Sequence, residues 1–408
     1  MSRPRLEAEL LDYIVDFLHN TEVALKSCSL VSESWIPRTR RHLFAEIKFE
    51  SACTLQSWKS VFPDPSTSPG HYAKTLSIGC PQDVIAADAE EGGWLQAFSR
   101  VVKLIIYDDV DDGSDLGSTV SLVPLYGLFP VLKSLDINVS SVAPSEVSGL
   151  IYSFPLLEDV LLTAHEGMRN NDDFDKQPTA VSPAFTGSLR LHTRKGFLAI
   201  AGRLFPPPGD LRFRDLSLRL NNERDFGLAT EFVDRCSSTV ETLRLDHTPR
   251  STWTYHADLW QELTAFADRS PAGGSINLSK ATKLKDVVFG THLDPKWIIA
   301  SLRAVTHDHR DLQQITITIP YVLYHLDHQF VDGVRFMHTD GEAMYQRWLE
   351  LDRVLAQMRE SRSVRLKVLY NSPSTMERRA RGCVEELLPE VTTRGTVQIV
   401  KGVYYRCA

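Results

Sequence analysis

Cysteine is scarce in this chain: six residues, at 28, 53, 80, 236, 383 and 407, with no Cys-x-x-Cys pair among them. Thiols scattered in this way argue against a disulfide frame or a cysteine-based zinc site, and they suit a reducing compartment. No apolar run approaches the ~20 residues of a membrane span. The opening Met-Ser-Arg-Pro-Arg leads into an amphipathic helix rather than the apolar block of a signal peptide. A basic excess is missing too, since 45 Lys and Arg face 52 Asp and Glu for a net charge of −7 over 408 residues. That balance argues against a general binder of nucleic acid or of membrane surfaces, both of which need positive charge. Arg378, Arg379 and Arg381 form a local basic cluster that reads as a solvated helix face. The expectation is a soluble intracellular protein, cytoplasmic, nuclear or both.

Catalytic signatures are absent as well. There is no Gly-x-Ser-x-Gly elbow, no phosphate loop ending in Gly-Lys-Ser/Thr and no His-Glu-x-x-His. The acidic loop from Asp108 to Gly113 fails as a calcium loop, because Val110 takes the third ligand position and Thr119 the twelfth. His325 and His328 have zinc-ligand spacing, but no Cys or third His stands at a supporting interval, so they read as structural. His307-Asp-His-Arg310 reads as a solvent-exposed loop rather than a proton relay. The expectation is no enzyme, no metal and no cofactor.

What the sequence does contain begins with its helical head. Leu10, Ile14, Phe17 and Leu18 recur at helical spacing and predict one apolar stripe on a first helix. After His19-Asn-Thr21, a second helix is predicted by Leu25, Cys28, Val31 and Trp35, and Pro37 marks the start of a third that runs toward Leu43-Phe44. A head of roughly 40 residues is too small to bury three stripes by itself. Part of this apolar surface must therefore face the rest of the chain or a partner.

The run Leu6-x-x-Glu9-Leu10-Leu11-x-x-Ile14, followed by Leu25, Leu30-Val31 and Trp35, resembles an F-box. The family's usual Leu-Pro opening reads Leu6-Glu7 here, and its Val-Cys-x-x-Trp reads Val31-Ser-Glu-Ser-Trp35. The wider run is similar to F-box proteins abundant in mushroom-forming fungi, through phrases such as Ala86-Ala-Asp-Ala-Glu-Glu-Gly-Gly-Trp94 and Ser153-Phe-Pro-Leu-Leu-Glu158. The resemblance implies a three-helix domain over 1–48 that docks on the Skp adaptor of a cullin-type ubiquitin ligase. Leu6, Glu9, Leu10, Ile14, Leu25, Val31 and Trp35 would then be the adaptor-binding residues. The target protein is unspecified.

Beyond a linker and first helix over 49–72, a triplet recurs: an apolar residue, another three on, and a third two further. Its middle positions are Leu76, Leu104, Leu135, Val160, Leu216, Leu243, Val287 and Ile315, with a degenerate copy around Leu189. Steps of about 25 to 31 residues, and one longer step after Leu243, match the period of leucine-rich repeats. The laddering Asn or Cys three residues past the strand is replaced by Ser140, His165 and Thr248, so the array over 73–319 is expected to be irregular. Between the triplets, Pro144–Tyr152 (with Ser145 as its cap), Ala229–Cys236 and Pro295–Arg303 predict helical returns.

Residues 320–408 read as an insertion and a terminal cap. A helix is predicted over 342–360 on Met344, Trp348, Leu351, Leu355 and Met358, with strands at Val364/Leu366/Val368 and Val397/Ile399 and a helix over 377–388 between them. The expected fold class is α/β: a short helical F-box, an irregular leucine-rich-repeat-like solenoid, and an α/β cap. Two functions fit it. The first is a substrate receptor whose repeats hold a protein target, with contacts from the 321–338 aromatics and the loops at 108–117 and 165–181. The second is a non-catalytic interaction scaffold whose helical head caps the first coil near Leu76 and Ile78.

Overall fold

Leu76, Leu104, Leu135 and Val160, the middle residues of successive triplets, stand beside one another on neighbouring parallel strands of the computed structural model. The structure describes residues 8–90, 93–108, 121–139, 142–164, 187–193, 212–220, 223–247, 275–290, 295–319, 339–362, 364–370, 377–393 and 397–401. The chain divides into two units, Met1–Pro183 and Ala184–Ala408.

In the first unit, helices α1 (Ala8–Phe17), α2 (Glu22–Val31) and α3 (Ile36–Leu43) precede strand β1 (Glu46–Phe49). There follow β2 (Thr75–Gly79), β3 (Lys103–Tyr107), β4 (Ser134–Asn138) and β5 (Asp159–Ala164), with β1 to β5 parallel in chain order. Parallel neighbours need a crossover of a dozen or more residues. Here α4 (Ala52–Val61), α5 (Pro81–Glu90), the 3-10 helices Trp94–Phe98 and Val123–Leu125, and α6 (Pro144–Tyr152) supply it. Because side chains alternate along a strand, the middle and last triplet residues share one face. Leu76, Ile78, Leu104, Ile106, Leu135, Ile137, Val160 and Leu162 are all buried there against the returns.

The second unit repeats the scheme. Strands β6 (Ser188–Thr193), β7 (Asp215–Leu220), β8 (Thr242–His247), β9 (Asp286–Gly290), β10 (Gln314–Ile319), β11 (Arg365–Tyr370) and β12 (Val397–Lys401) are parallel in order. Leu189, Leu216, Leu243, Val287, Ile315, Leu366 and Val397 form the continuous register row. The returns are α7 (Glu223–Cys236), α8 (Lys296–Arg303), α9 (Thr339–Arg362), α10 (Glu377–Leu387) and α11 (Pro389–Thr393).

A backbone joint recurs at the leading ends of β2 to β5 and of β8 to β10. Lys74 and Thr75 donate their amides to the Ala45 carbonyl at 2.8 and 2.9 Å, and Val102 and Lys103 do the same to Lys74. The second unit has the equivalent from Glu241 and Thr242 to Arg214, Lys285 and Asp286 to Glu241, and Gln313 and Gln314 to Lys285. Two orphan donors are thereby satisfied on one acceptor, using both of its lone pairs. Ser140, His165 and Thr248, the residues in place of a side-chain ladder, lie outside the described residues.

Several expectations need correction. The stack begins at β1, since Ile47 pairs with Leu76 and Phe49 with Ile78. The boundary drawn at 48 and 49 therefore falls inside a strand, and 49–72 is the return half of a coil rather than a linker. Phe44, Ile47 and Phe49 carry the same triplet as the later coils, but a single early copy has no sequence contrast. At the other end, the two closing strands expected after residue 364 are present as β11 and β12 and stay in register with β10, so the terminal region continues the sheet. Ser145 does not cap α6: Ala143 holds that position and Pro144 opens the helix, where its missing amide costs nothing. The 108–117 loop beyond Asp108, the 165–181 loop, the 321–338 aromatics and His325 and His328 lie outside the described residues.

Candidate functional site

Helix α1 is apolar on two faces. At 100° per residue, Leu11, Val15 and Leu18 point one way, while Leu10, Tyr13, Ile14 and Phe17 occupy an adjacent arc of about 100°. Val15 is 1% exposed and lies inside the head with Leu25 and Cys28 of α2. The other arc is open: Leu10 is 51% exposed, Tyr13 72%, Ile14 41% and Phe17 78%. Helix α2 behaves likewise, with Leu25 and Cys28 inward and Val23, Leu30 and Val31 outward. Most of the large apolar side chains exposed among the described residues belong to these two helices. A soluble surface rarely leaves such residues grouped unless something covers them.

Polar contacts hold α1 against α3. Arg38 donates through Nε to Asp16 Oδ1 at 2.6 Å and through Nη2 to Oδ2, and His42 Nε2 meets Oδ1 at 2.7 Å. Hydrogen bonds from Arg38, then from His42, hold the Asp16 carboxyl well below the usual carboxylate range. Buried Thr39 donates its hydroxyl to the Trp35 carbonyl at 2.9 Å. Ser32 accepts the Ser34 amide at the start of the 3-10 turn Glu33–Trp35, the usual role of serine at a helix N-terminus.

The head is seated on the first coil through α3, with no linker between Leu43 and Glu46. Phe44 meets Trp58 of α4 edge-on at 5.9 Å, and Trp58 and Phe49 both reach Phe98. Trp58 Nε1 donates to Ser68 Oγ at 3.2 Å, and the same Ser68 oxygen caps the 3-10 helix Pro69–Tyr72. The Pro-Asp-Pro and Ser-Thr-Ser-Pro-Gly stretches thus lie within the first coil and do not separate the head from it.

Among the residues expected to bind an adaptor, Glu9, Leu10, Ile14 and Val31 are exposed and Trp35 is half-buried. Leu25 is fully inside and holds the head together. Leu6 lies outside the described residues. Tyr13, Phe17, Val23 and Leu30 share the open faces beyond the expected set; the signal is the run of adjacent apolar pairs, Leu10-Leu11, Ile14-Val15 and Phe17-Leu18 on α1 and Leu30-Val31 on α2.

The His307-Asp-His-Arg310 segment also departs from expectation. His309 is buried and bridges two turns, with Nε2 2.8 Å from the Leu278 carbonyl and Nδ1 3.1 Å from the Thr306 amide. That pattern assigns the Nε2–H tautomer, and both ring nitrogens are used in holding backbone. His307 stays exposed beside Asp308. Among the described residues, no group of three or more His, Cys, Asp or Glu side chains is placed to hold a metal ion, and no helix is long and apolar enough to cross a membrane.

Each unit is a leucine-rich-repeat-like α/β stack, defined by its parallel register and strand-and-return period. No family model matches the chain, and no curated protein matches it. Among solved structures it is similar to the leucine-rich repeat-containing protein LegL7 from Legionella pneumophila, at 12% identity and a TM-score of 0.36 over 85% of this chain and 98% of that one. The fold assignment rests on the register and not on that likeness.

Proposed function

We propose that this chain is the substrate-receptor subunit of a Skp–cullin–F-box ubiquitin ligase. In this reading α1 and α2 dock on the Skp adaptor, the repeat stacks hold a target protein, and catalysis is left to the recruited conjugating enzyme. The observation that carries it is the open arc of Leu10, Tyr13, Ile14 and Phe17, uncovered while the opposite face of the same helix is packed. The F-box resemblance of the same residues supplies the partner. The mechanism is proximity: tethering raises the effective concentration of target lysines near the charged thioester.

A second reading is a non-catalytic scaffold whose head only caps the first coil. The direct run from α3 into β1 and the seating of Phe44 on Trp58 favour it. Those contacts engage α3 and leave the outward face of α1 unused, which is why we prefer the receptor.

Calorimetric titration of Skp adaptor into the full chain tests the choice. Binding at micromolar strength or tighter is expected, lost in Leu10→Asp/Ile14→Asp with the circular dichroism unchanged. A folded wild type that gives no heat overturns the receptor reading in favour of the scaffold.

A further inference from the structure

In the first unit the returns enter the strands through one repeated turn. The Val101 amide donates to the Phe98 carbonyl at 3.1 Å, Leu132 to Phe129 at 3.1 Å, and Leu157 to Phe154 at 3.3 Å. Each turn closes two residues before Lys103, Ser134 and Asp159, which are register neighbours on β3, β4 and β5. Equivalent turn residues therefore stack in rows across the three coils. The third position of the turn gives the row Arg100, Val131 and Leu156, with Pro130 and Pro155 beside it at the second position. All five are exposed, Val131 by 39% and Leu156 by 50%.

Turn formation accounts for the prolines, whose fixed φ suits the second position of a turn. It gives no reason for Val131 and Leu156. The same turn in the second unit, closed by Leu284 on Ala281 at 3.2 Å and by Leu312 on His309 at 3.3 Å, exposes Thr282-Lys283 and Arg310-Asp311. Both of those copies are polar, whereas the two apolar copies stand side by side. At the β3 end of the row, Arg100 has no acidic partner among the described residues. Lys133, on the next coil, is matched with Glu158 at 2.6 Å. Lys74 and Lys103, exposed at the leading ends of β2 and β3, are unmatched like Arg100.

We infer that this row receives an amphipathic helix of a partner protein, which sets a carboxylate on Arg100 and an apolar stripe on Val131 and Leu156. Neighbouring coils are about 4.8 Å apart. Residues three and four apart on a helix are displaced along its axis by about 4.5 and 6 Å, so one helix face keeps step with the three coils. Same-face residues of an extended segment are about 6.7 Å apart and fall out of step by the third coil. The unmatched cations provide the charge complementarity that favours an acidic helix and opposes a basic one. Pro130 and Pro155 add apolar contact area and have no side-chain rotamers to order on binding. This surface goes beyond the adaptor-docking reading and stands without it.

The test is fluorescence anisotropy on the full chain, with a labelled, stapled, alanine-based helical peptide as probe. The peptide has a glutamate followed three, four and seven positions later by leucines, all on one face. One comparator replaces the glutamate by lysine, and a second distributes the leucines around the helix. The acidic striped peptide should bind saturably, about tenfold or more tighter than either comparator. Arg100→Glu should reverse the preference between the glutamate and lysine peptides. Val131→Asp/Leu156→Asp should weaken the acidic peptide by about tenfold or more, while Lys283→Glu, at the same turn position in the second unit, should leave it unchanged. No saturable binding, equal affinity for the peptide without a stripe, or a preference unmoved by Arg100→Glu would overturn the inference. So would equal weakening by Lys283→Glu, which would reduce the effect to general charge, or weakening by Leu10→Asp/Ile14→Asp, which would place the peptide on the head. If Val131→Asp/Leu156→Asp loses its circular dichroism signal, the reversal in Arg100→Glu decides.

Discussion

Asp16 and Arg38, twenty-two positions apart in sequence, meet through both carboxylate oxygens, and this pair fixes helix α1 on helix α3. The outward face of α1 has the orientation described above because this clasp and Val15 set the helix's rotation. In the receptor reading, a face held in advance avoids the ordering cost that a loose helix would meet on binding.

The pair makes the head acid-sensitive in a defined direction. The folded carboxyl of Asp16 titrates below its unfolded value of about 3.9. Its contribution is therefore fully present above that value and is lost as pH falls below it. Because the pair is partly exposed, the loss should be about 1 kcal/mol or less. Hydrogen exchange of the α1 and α3 amides, corrected for intrinsic rates, should rise relative to the β3 and β4 amides as pH falls below about 4. In Asp16→Asn the step should vanish and protection should be lower throughout.

Neighbouring residues on α1 should respond oppositely to truncation. Val15→Ala removes buried methyl groups and should cost the head about 1–2 kcal/mol. Ile14→Ala, one position earlier, should stay within about 0.5 kcal/mol. Exchange protection of the head reads both. Equal losses would mean that the open face is covered.

Gly149 offers a case where two effects oppose. In mid-helix, Gly→Ala ordinarily gains about 1 kcal/mol. Here an added Cβ would collide with Tyr126 Oη and lie 2.7 Å from its Cζ. Moving that ring breaks the Tyr126 hydroxyl bond to the Glu146 carbonyl at 2.8 Å, and overpacking costs about 1–3 kcal/mol. Gly149→Ala should therefore destabilise the first unit in thermal melts, and Tyr126→Ala should turn the same change into a gain.

Asp352 should prove to be a buried cap. On α9 it is 1% exposed and accepts the Glu390 and Val391 amides at 2.6 and 3.0 Å, closing the start of α11. Asp352→Ala leaves those donors unsatisfied and should cost about 1–3 kcal/mol. The exchange of amides 390 and 391 should rise more than that of amides in β7 and β8.

The repeat was legible because every coil buries the same two strand positions. Leu104 and Ile106 are read from sequence for the same reason that they are buried. Ile47 and Phe49, alternating with charged residues, read as a short strand, but one copy beside a helical head of different period does not mark itself as the first of the stack. The returns were less clear: Trp94–Phe98 and Val123–Leu125 are 3-10 helices, whose short turns leave no helical periodicity to detect. On α1 hydrophobicity fails to rank the faces, since Ile14 and Val15 are equally apolar and only packing separates them. His309 and Asp352 were invisible as structural residues, because their partners are backbone groups distant in sequence.

The paired amides between coils act as a phase reset. From Leu216 to Leu243 the return is short, and from Leu243 to Val287 it is much longer, yet Glu241 reaches Arg214 and Lys285 reaches Glu241 at the same 2.8 Å. Each strand takes its register from its neighbour alone and not from the length of chain spent getting there. Offsets in one return are consequently not inherited by the next. An insertion between such joints changes what a coil displays while the next strand keeps its place, so the stack tolerates variation in its returns.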